Sequence, residues 1–187
     1  MSLQPARRLI TVKEYQLMAA SGILTEQDRV ELVNGEIFHM SPIGSRHAAC
    51  VNRMANHLIQ QLLANVIVSV QNPVVINEHS CPEPDIALLR PADHYYADQH
   101  PGPDDILLLI EVAETSIVYD REVKLSLYAS AGVAECWLVD LENNWIESYR
   151  LPSGGAYKIR ELLRPGEQIQ TAFSKISFHV THLIGKT

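Results

Sequence analysis

Apolar and polar positions along the chain recur with two different periods, and the switches between them outline a series of helices and strands. Residues 11–20 read as a short helix. Thr11 stands at the N-cap, Glu14 follows at the capping-box spacing, and Gly22 closes the segment. Residues 29–33 and 36–40 read as two strands flanking Asn34-Gly35, the strongest short hairpin signal. A long helix begins at Ser45, where Val51, Met54, Ala55, Leu58, Ile59, Leu62 and Leu63 recur at intervals of three and four and make one apolar face. Strands are expected over 65–70, 73–77 and 85–89, with a polar, proline-bearing stretch over 78–84.

The second half begins with a proline-bearing loop over 90–105, long enough to suggest a functional or mobile segment. Residues 106–112 form a nearly unbroken apolar strand, the pattern of a strand covered on both faces. A helix follows from about 120 to 131 and stops at Gly132, and 136–139 is another buried strand. Glu142-Asn143-Asn144 turns into a strand over 145–149, and Ser153-Gly154-Gly155 turns into one over 157–161. The remainder is expected to hold a short strand or two and a loose tail. This order predicts an α/β (α+β) fold, a mixed sheet flanked by helices, with an N-terminal helix and hairpin and a C-terminal antiparallel extension. The expected organisation is one domain over 1–187, with its core at about 28–150 and the extension and tail over 151–187.

Composition narrows the classes of function. A chain of 187 residues, 47% of them hydrophobic, can bury a core without disulfides or a structural metal. Cys50, Cys81 and Cys136 are odd in number and far apart, which fits three buried thiols in a reducing compartment better than a zinc knuckle. Two arginines near the N-terminus have no long apolar run behind them, and no segment reaches the length of a membrane span, so a cytoplasmic, non-membrane protein is the expectation. Lys and Arg number 15 against 22 Asp and Glu, a formal net charge of −7. That balance disfavours a protein that coats nucleic acid through phosphate neutralisation, and leaves room for a local basic groove.

Three residues do not fit a pure core. Glu111 interrupts Ile106–Val112, where an ionised carboxylate costs several kcal/mol unless it is paired or bound to a cation. A frayed strand end reaching water would serve equally. Asp85 follows Pro84 at the head of an apolar run, where a turn aspartate is the plain alternative. Lys124 lies three, four and seven positions before Leu127, Tyr128 and Ala131, on the core-facing stripe of its helix, with Asp120 one turn earlier. A lysine at the stripe's edge could instead reach out to solvent. Together the three describe more than each does alone: two carboxylates on neighbouring strands can share a hard divalent cation, and a nearby lysine can orient or deprotonate the attacking water and stabilise phosphate charge.

Pro84-Asp85 followed by Glu111-Val112-Ala113 resembles the PD…(D/E)xK signature of restriction-endonuclease-like nucleases. A longer ordered set is similar to one branch, the "Uma-two" family. It runs through Val30–Glu36 (VELVNGE), Met40-Ser41-Pro42 with His47, Pro84-Asp85, Leu109–Val112, Asp120 with Lys124, and 128–140 (YASAGVAECWLVD), so the resemblance spans roughly residues 10 to 150. The general signature would place its lysine at Ala113; in this branch Lys124 is the matching position. Glu114-Thr115-Ser116 departs from the family's usual turn.

The resemblance implies a restriction-endonuclease-like core and a Mg²⁺- or Mn²⁺-dependent endonuclease acting on DNA. Asp85, Glu111 and the Val112 carbonyl would hold metal, Lys124 would position water, and Glu31 would hold a second metal or the water. His47 and Asp120 are possible supporting residues, and Arg46, Arg53, Arg90 and Arg121 are candidates for a DNA-binding rim. A silent binding module would instead show Lys124 paired with Glu111 or Asp120 and no room for metal. A hydrolase of a small phosphodiester would show a closed pocket with the 90–105 loop as its lid. Trp137, Trp145, Tyr149 and Tyr157 on successive strands make a homodimer interface conceivable under each reading, although core is the commoner fate of such residues.

Overall fold

The computed structural model describes residues 7–25 and 27–185. Helix α1, Val12–Ala20, carries the expected reciprocal capping box between Thr11 and Glu14. Strands β1, Val30–Val33, and β2, Glu36–His39, pair around Asn34-Gly35. Gly35 has a positive φ of 77°, and a Cβ there would stand 2.6 Å from Leu9 Cβ, so only glycine turns this corner under the N-terminal segment. Helix α2, Ser45–Leu62, follows, and then a 3-10 turn, Leu63–Asn65.

Strands β3, Ile67–Val70; β4, Ile86–Leu89; β5, Ile106–Ala113; β6, Glu135–Asp140; β7, Trp145–Ser153; and β8, Ala156–Leu163, lie side by side in that order in one sheet. Only β5 and β6 are parallel. Their crossover is helix α3, built of Ile117–Tyr119, a π-wound turn Asp120–Lys124, and Leu125–Ser130. Strands β9, Gln168–Gln170, and β10, Ser177–His179, form a separate pair, and β10 runs into helix α4, Val180–Ile184.

Side-chain alternation sorts the sheet into two faces. Ile86, Leu88, Leu108, Ile110, Val112, Trp137 and Val139 pack on Val51, Met54 and Leu58 of α2 and on Leu183 of α4. Ala87, Leu89, Leu109, Ala113, Cys136 and Leu138 pack beneath Leu125, Leu127 and Tyr128 of α3. Glu111 alternates with Leu109 and Ala113 and therefore faces α3.

Four expectations change. The stretch 73–77 is not a strand: Pro73, Pro82 and Pro84 break any ladder, and the backbone is held piecemeal, Val74 N–H by Pro82 O and Val75 N–H by Pro101 O. The second main helix starts at Ile117 rather than near 120. Ile59 and Leu63 are exposed, so the apolar stripe of α2 is narrower than its sequence suggests. The tail is not loose up to residue 185, because Phe178, Val180 and Leu183 are buried and Arg53 donates to Ile184 O at 2.8 Å. Cys50, Cys81 and Cys136 are buried and unpaired, and among the described residues no helix is long and apolar enough to cross a membrane.

Candidate functional site

Four separate elements bring acidic groups to one place. Strand β5 supplies Glu111, the residue before β4 is Asp85, β1 supplies Glu31, and the π turn of α3 supplies Asp120 and Lys124. All line a single cavity of about 410 Å³. A π turn inserts an extra residue into a helix, a distortion frequent at functional sites. Here it buries two charged residues, leaving Asp120 4% and Lys124 6% exposed.

Lys124 Nζ lies 3.2 Å from Glu31 Oε2 and 3.3 Å from Glu111 Oε1. One turn along, Tyr128 donates its hydroxyl proton to Glu111 Oε1 at 2.6 Å. The Val112 N–H donates to Asp85 Oδ2 at 2.8 Å, and His47 Nε2 lies 3.1 Å from the same oxygen. The Gln71 amide donates to Asp85 Oδ1 at 3.2 Å. Asp120 accepts from the Ser116 hydroxyl at 2.6 Å, and Glu31 Oε2 from the Glu83 N–H at 3.3 Å. His47 Nδ1 is buried with no partner among the described residues.

Burial sets the electrostatics. It pushes the Glu111 carboxyl up to about 8; Lys124 pulls the other way, while Asp120 and Asp85 add to the rise. For Lys124 burial alone would favour the neutral amine, but Glu111, Glu31 and Asp120 outweigh it, so its pKa rises and it keeps its proton. Burial also raises Asp120 and Glu83. The hydrogen bond to Asp85 raises His47, against its own burial.

The cavity is lined by six carboxylates (Glu31, Glu83, Asp85, Glu111, Glu114 and Asp120) against two permanent cations, Arg29 and Lys124. Among the described residues no three His, Cys, Asp or Glu side chains gather closely enough to hold a metal ion. Asp85, which accepts from the Val112 N–H, and Glu111, the residue before Val112, are two hard oxygen donors lining a cavity with an excess of negative charge. That set fits a magnesium-type ion, which is typically held by one or two carboxylates and keeps several waters.

The four arginines expected at a DNA rim do not line this cavity. Arg46 donates to Leu141 O and Arg53 to Ile184 O, each fastening α2 to a neighbouring segment. Arg90 donates to Asp104 O at 2.8 Å, and Arg121 pairs with the buried Glu147 at 2.8 Å. No residue of the 90–105 loop lines the cavity either. Of the aromatic residues on the late strands, Trp137 is fully buried, Tyr149 bonds Glu147, and Tyr157 donates to Val133 O at 2.9 Å. Trp145 is partly buried, beneath the Arg164 guanidinium.

Sequence reasoning missed Tyr128, Gln71, Arg29 and the aromatic pair Phe38 and Tyr119. Tyr128 was within reach: it shares the inward stripe with Lys124, and a buried hydroxyl there needs a partner. Gln71 and Phe38 carried no local signal.

A family model described as "Putative restriction endonuclease" (Uma2) matches residues 12–181 of this chain. A crystal structure described as that of a putative nuclease belonging to DUF820 from Anabaena variabilis is 15% identical, covering 94% of this chain and 97% of that one, with a TM-score of 0.67. At that identity the likeness is one of fold. No curated protein matches.

Proposed function

The chain belongs to the Uma2 family of restriction-endonuclease-like proteins, and from that premise we propose that it is a Mg²⁺- or Mn²⁺-dependent endonuclease that hydrolyses phosphodiester bonds in DNA. The observation that carries this reading is the convergence of Asp85, Glu111, Glu31 and Lys124 on one cavity from four separate elements. Asp85 and Glu111, with the Val112 carbonyl, are the residues that would hold the cation. The bound ion would supply Lewis-acid stabilisation of charge on the phosphate.

The chain's own groups divide the remaining work. Lys124, held protonated by three carboxylates, acts as a donor that orients water and stabilises developing negative charge, not as a base. Glu31, on the other side of that ammonium, is placed to accept the proton of the attacking water or to hold a second ion. Tyr128 and Lys124 fix the Glu111 carboxylate; His47, Gln71 and the Val112 N–H fix Asp85. These are positioning contacts of the kind that hold a reacting geometry within a fraction of an ångström. Hydrolysis adds hydroxide from water to phosphorus and returns a proton to the departing oxygen.

A second reading is favoured by one observation. Lys124 is clasped by both Glu31 and Glu111, as a binding module without turnover would have it. The two readings separate in a cleavage assay on single-stranded, duplex and branched DNAs with Mg²⁺ or Mn²⁺, comparing wild type with Asp85→Ala. Metal-dependent cleavage that disappears in the variant is the expected result. Equal cleavage by both proteins, or none by either, removes the nuclease reading.

A further inference from the structure

The cavity differs from a duplex-binding groove in depth, charge and lining. Glu111 is 4% exposed and Lys124 6%, so the reacting groups sit below the surface. Around them, the loop over 41–44 and the turn over 114–116 both line the cavity and close on each other: a Cβ at Gly44 would lie 3.1 Å from Glu114 Oε2. A duplex is stiff and presents each phosphate with charged neighbours on both sides. Among the residues lining this cavity, the phosphates of a duplex would meet six carboxylates against two permanent cations, Arg29 and Lys124. Binding to duplex DNA draws its strength from several such phosphate contacts.

Two features suit a different strand form. Arg29 is the cavity's second permanent cation: among the described residues it makes no close ion pair, though its charge acts on Glu83, whereas Lys124 makes two. Its backbone holds a φ of 34°, an uncommon conformation for a long side chain and one that recurs at ligand sites. Phe38, paired with Glu31 across the hairpin, projects on the same face and meets Tyr119 with ring centroids 5.6 Å apart. Both rings line the cavity, and the Tyr119 hydroxyl is buried with no partner among the described residues. A bound base that both stacks on such rings and offers a hydrogen-bonding edge would satisfy them.

We infer that the site takes an unpaired nucleotide, its phosphate met by Arg29 and its base by Phe38 and Tyr119, so that the substrate is single-stranded nucleic acid or the unpaired part of a branched one. This rests on the phosphodiester reading above for the reaction, but not for the binding. A cavity of about 410 Å³ falls in the range of pockets that enclose a small ligand, and base stacking on aromatic side chains is the sequence-tolerant part of single-strand recognition.

The test is fluorescence anisotropy with one labelled oligonucleotide, single-stranded or annealed to its complement, in Ca²⁺ so that binding is read apart from turnover. The same substrates are then cleaved in Mg²⁺. Wild type is expected to bind and cleave the single strand at least about tenfold better than the duplex. Phe38→Ala is expected to weaken single-strand binding about tenfold. Arg29→Gln, an exposed substitution that leaves packing alone, should weaken it several-fold and flatten its salt dependence. Equal or better use of the duplex overturns the inference and leaves the nuclease reading standing if Asp85→Ala is dead. Single-strand binding that both variants weaken, without any cleavage, supports the inference and overturns the nuclease reading. Failure to bind either form, or no effect of either variant, overturns the inference.

Discussion

Replacing Lys124 by Met removes an ammonium from between two carboxylates while nearly preserving its volume. The Lys124, Glu31 and Glu111 side chains are 8%, 5% and 6% exposed, so water cannot take over the lost role, and breaking such a buried pair costs roughly 3–5 kcal/mol. The cost should depend on pH. In wild type, Lys124 is protonated in both folded and unfolded chains below its ordinary pKa of 10.5, so the ammonium itself takes up and releases no proton between pH 5 and 8, while the neighbouring Glu111 carboxyl, raised to about 8, ionises towards the top of that range. In the variant the folded state must bind at least one more proton on these carboxylates than wild type does. The unfolded chain releases that proton above pH 4.5. A folded pKa raised above the unfolded one destabilises progressively as pH rises through that window, by about 1.4 kcal/mol per unit. The penalty should therefore be about 1 kcal/mol at pH 5 and about 4 kcal/mol at pH 7.5. Urea unfolding of both proteins in EDTA at the two pH values measures it, and adding Glu31→Gln to Lys124→Met should flatten the difference. A penalty equal at both pH values, or below about 1 kcal/mol at pH 7.5, would refute the account of Lys124 as the counter-ion of the site.

Two further outcomes can be checked on the folded protein. Saturating Mg²⁺ or Mn²⁺ should raise the thermal midpoint, by about 2.7 kcal/mol of stabilisation at a hundredfold excess over Kd. Glu111→Gln should abolish that rise, and a wild-type midpoint indifferent to both ions counts against a cation at this site. Glu147 is wholly buried among Arg121, Arg160 and Tyr149; despite burial, their hydrogen bonds hold its pKa below 4.5. Its stabilisation is therefore present above pH 4.5 and lost as pH falls through the lower folded value, so Glu147→Gln should cost about 2–3 kcal/mol at pH 7 and less below pH 4, by urea unfolding.

What could be read in advance followed the range of each interaction. The capping box of α1, the Asn34-Gly35 hairpin and the buried β5 with its misplaced Glu111 all depend on neighbours within a few residues, and they stand where expected. The 73–77 segment looked apolar enough for a strand, but its hydrogen bonds go to Pro82 and Pro101, which no local pattern announces. The last turn of the chain contributes to the core through Phe178, Val180 and Leu183, too short a run to show a period. Glu111 stands out as a charge inside an apolar strand and Lys124 as one on a core-facing helix stripe, whereas Asp85, which a turn explains as well, gains weight only beside them and from the PD…(D/E)xK resemblance. The partners of the arginines leave no such trace: Arg53 on an exposed-looking helix position gives no hint that it is bound to a carbonyl at residue 184.

The parallel pairing of β5 with β6 through α3 also divides the centre into contacts of short and long sequence range. Glu111, Asp120, Lys124 and Tyr128 all lie on one strand–helix segment, so their mutual contacts need only a short loop to close, on the timescale of a local event. Glu31 comes from β1 and Asp85 from the residue before β4, and both meet this segment through contacts of long sequence range. The centre thus joins a local half, in which Lys124 meets Glu111, to a distant one. On the nuclease reading proposed above, a complete centre requires the N-terminal hairpin to be docked on α3, where Glu31 meets Lys124.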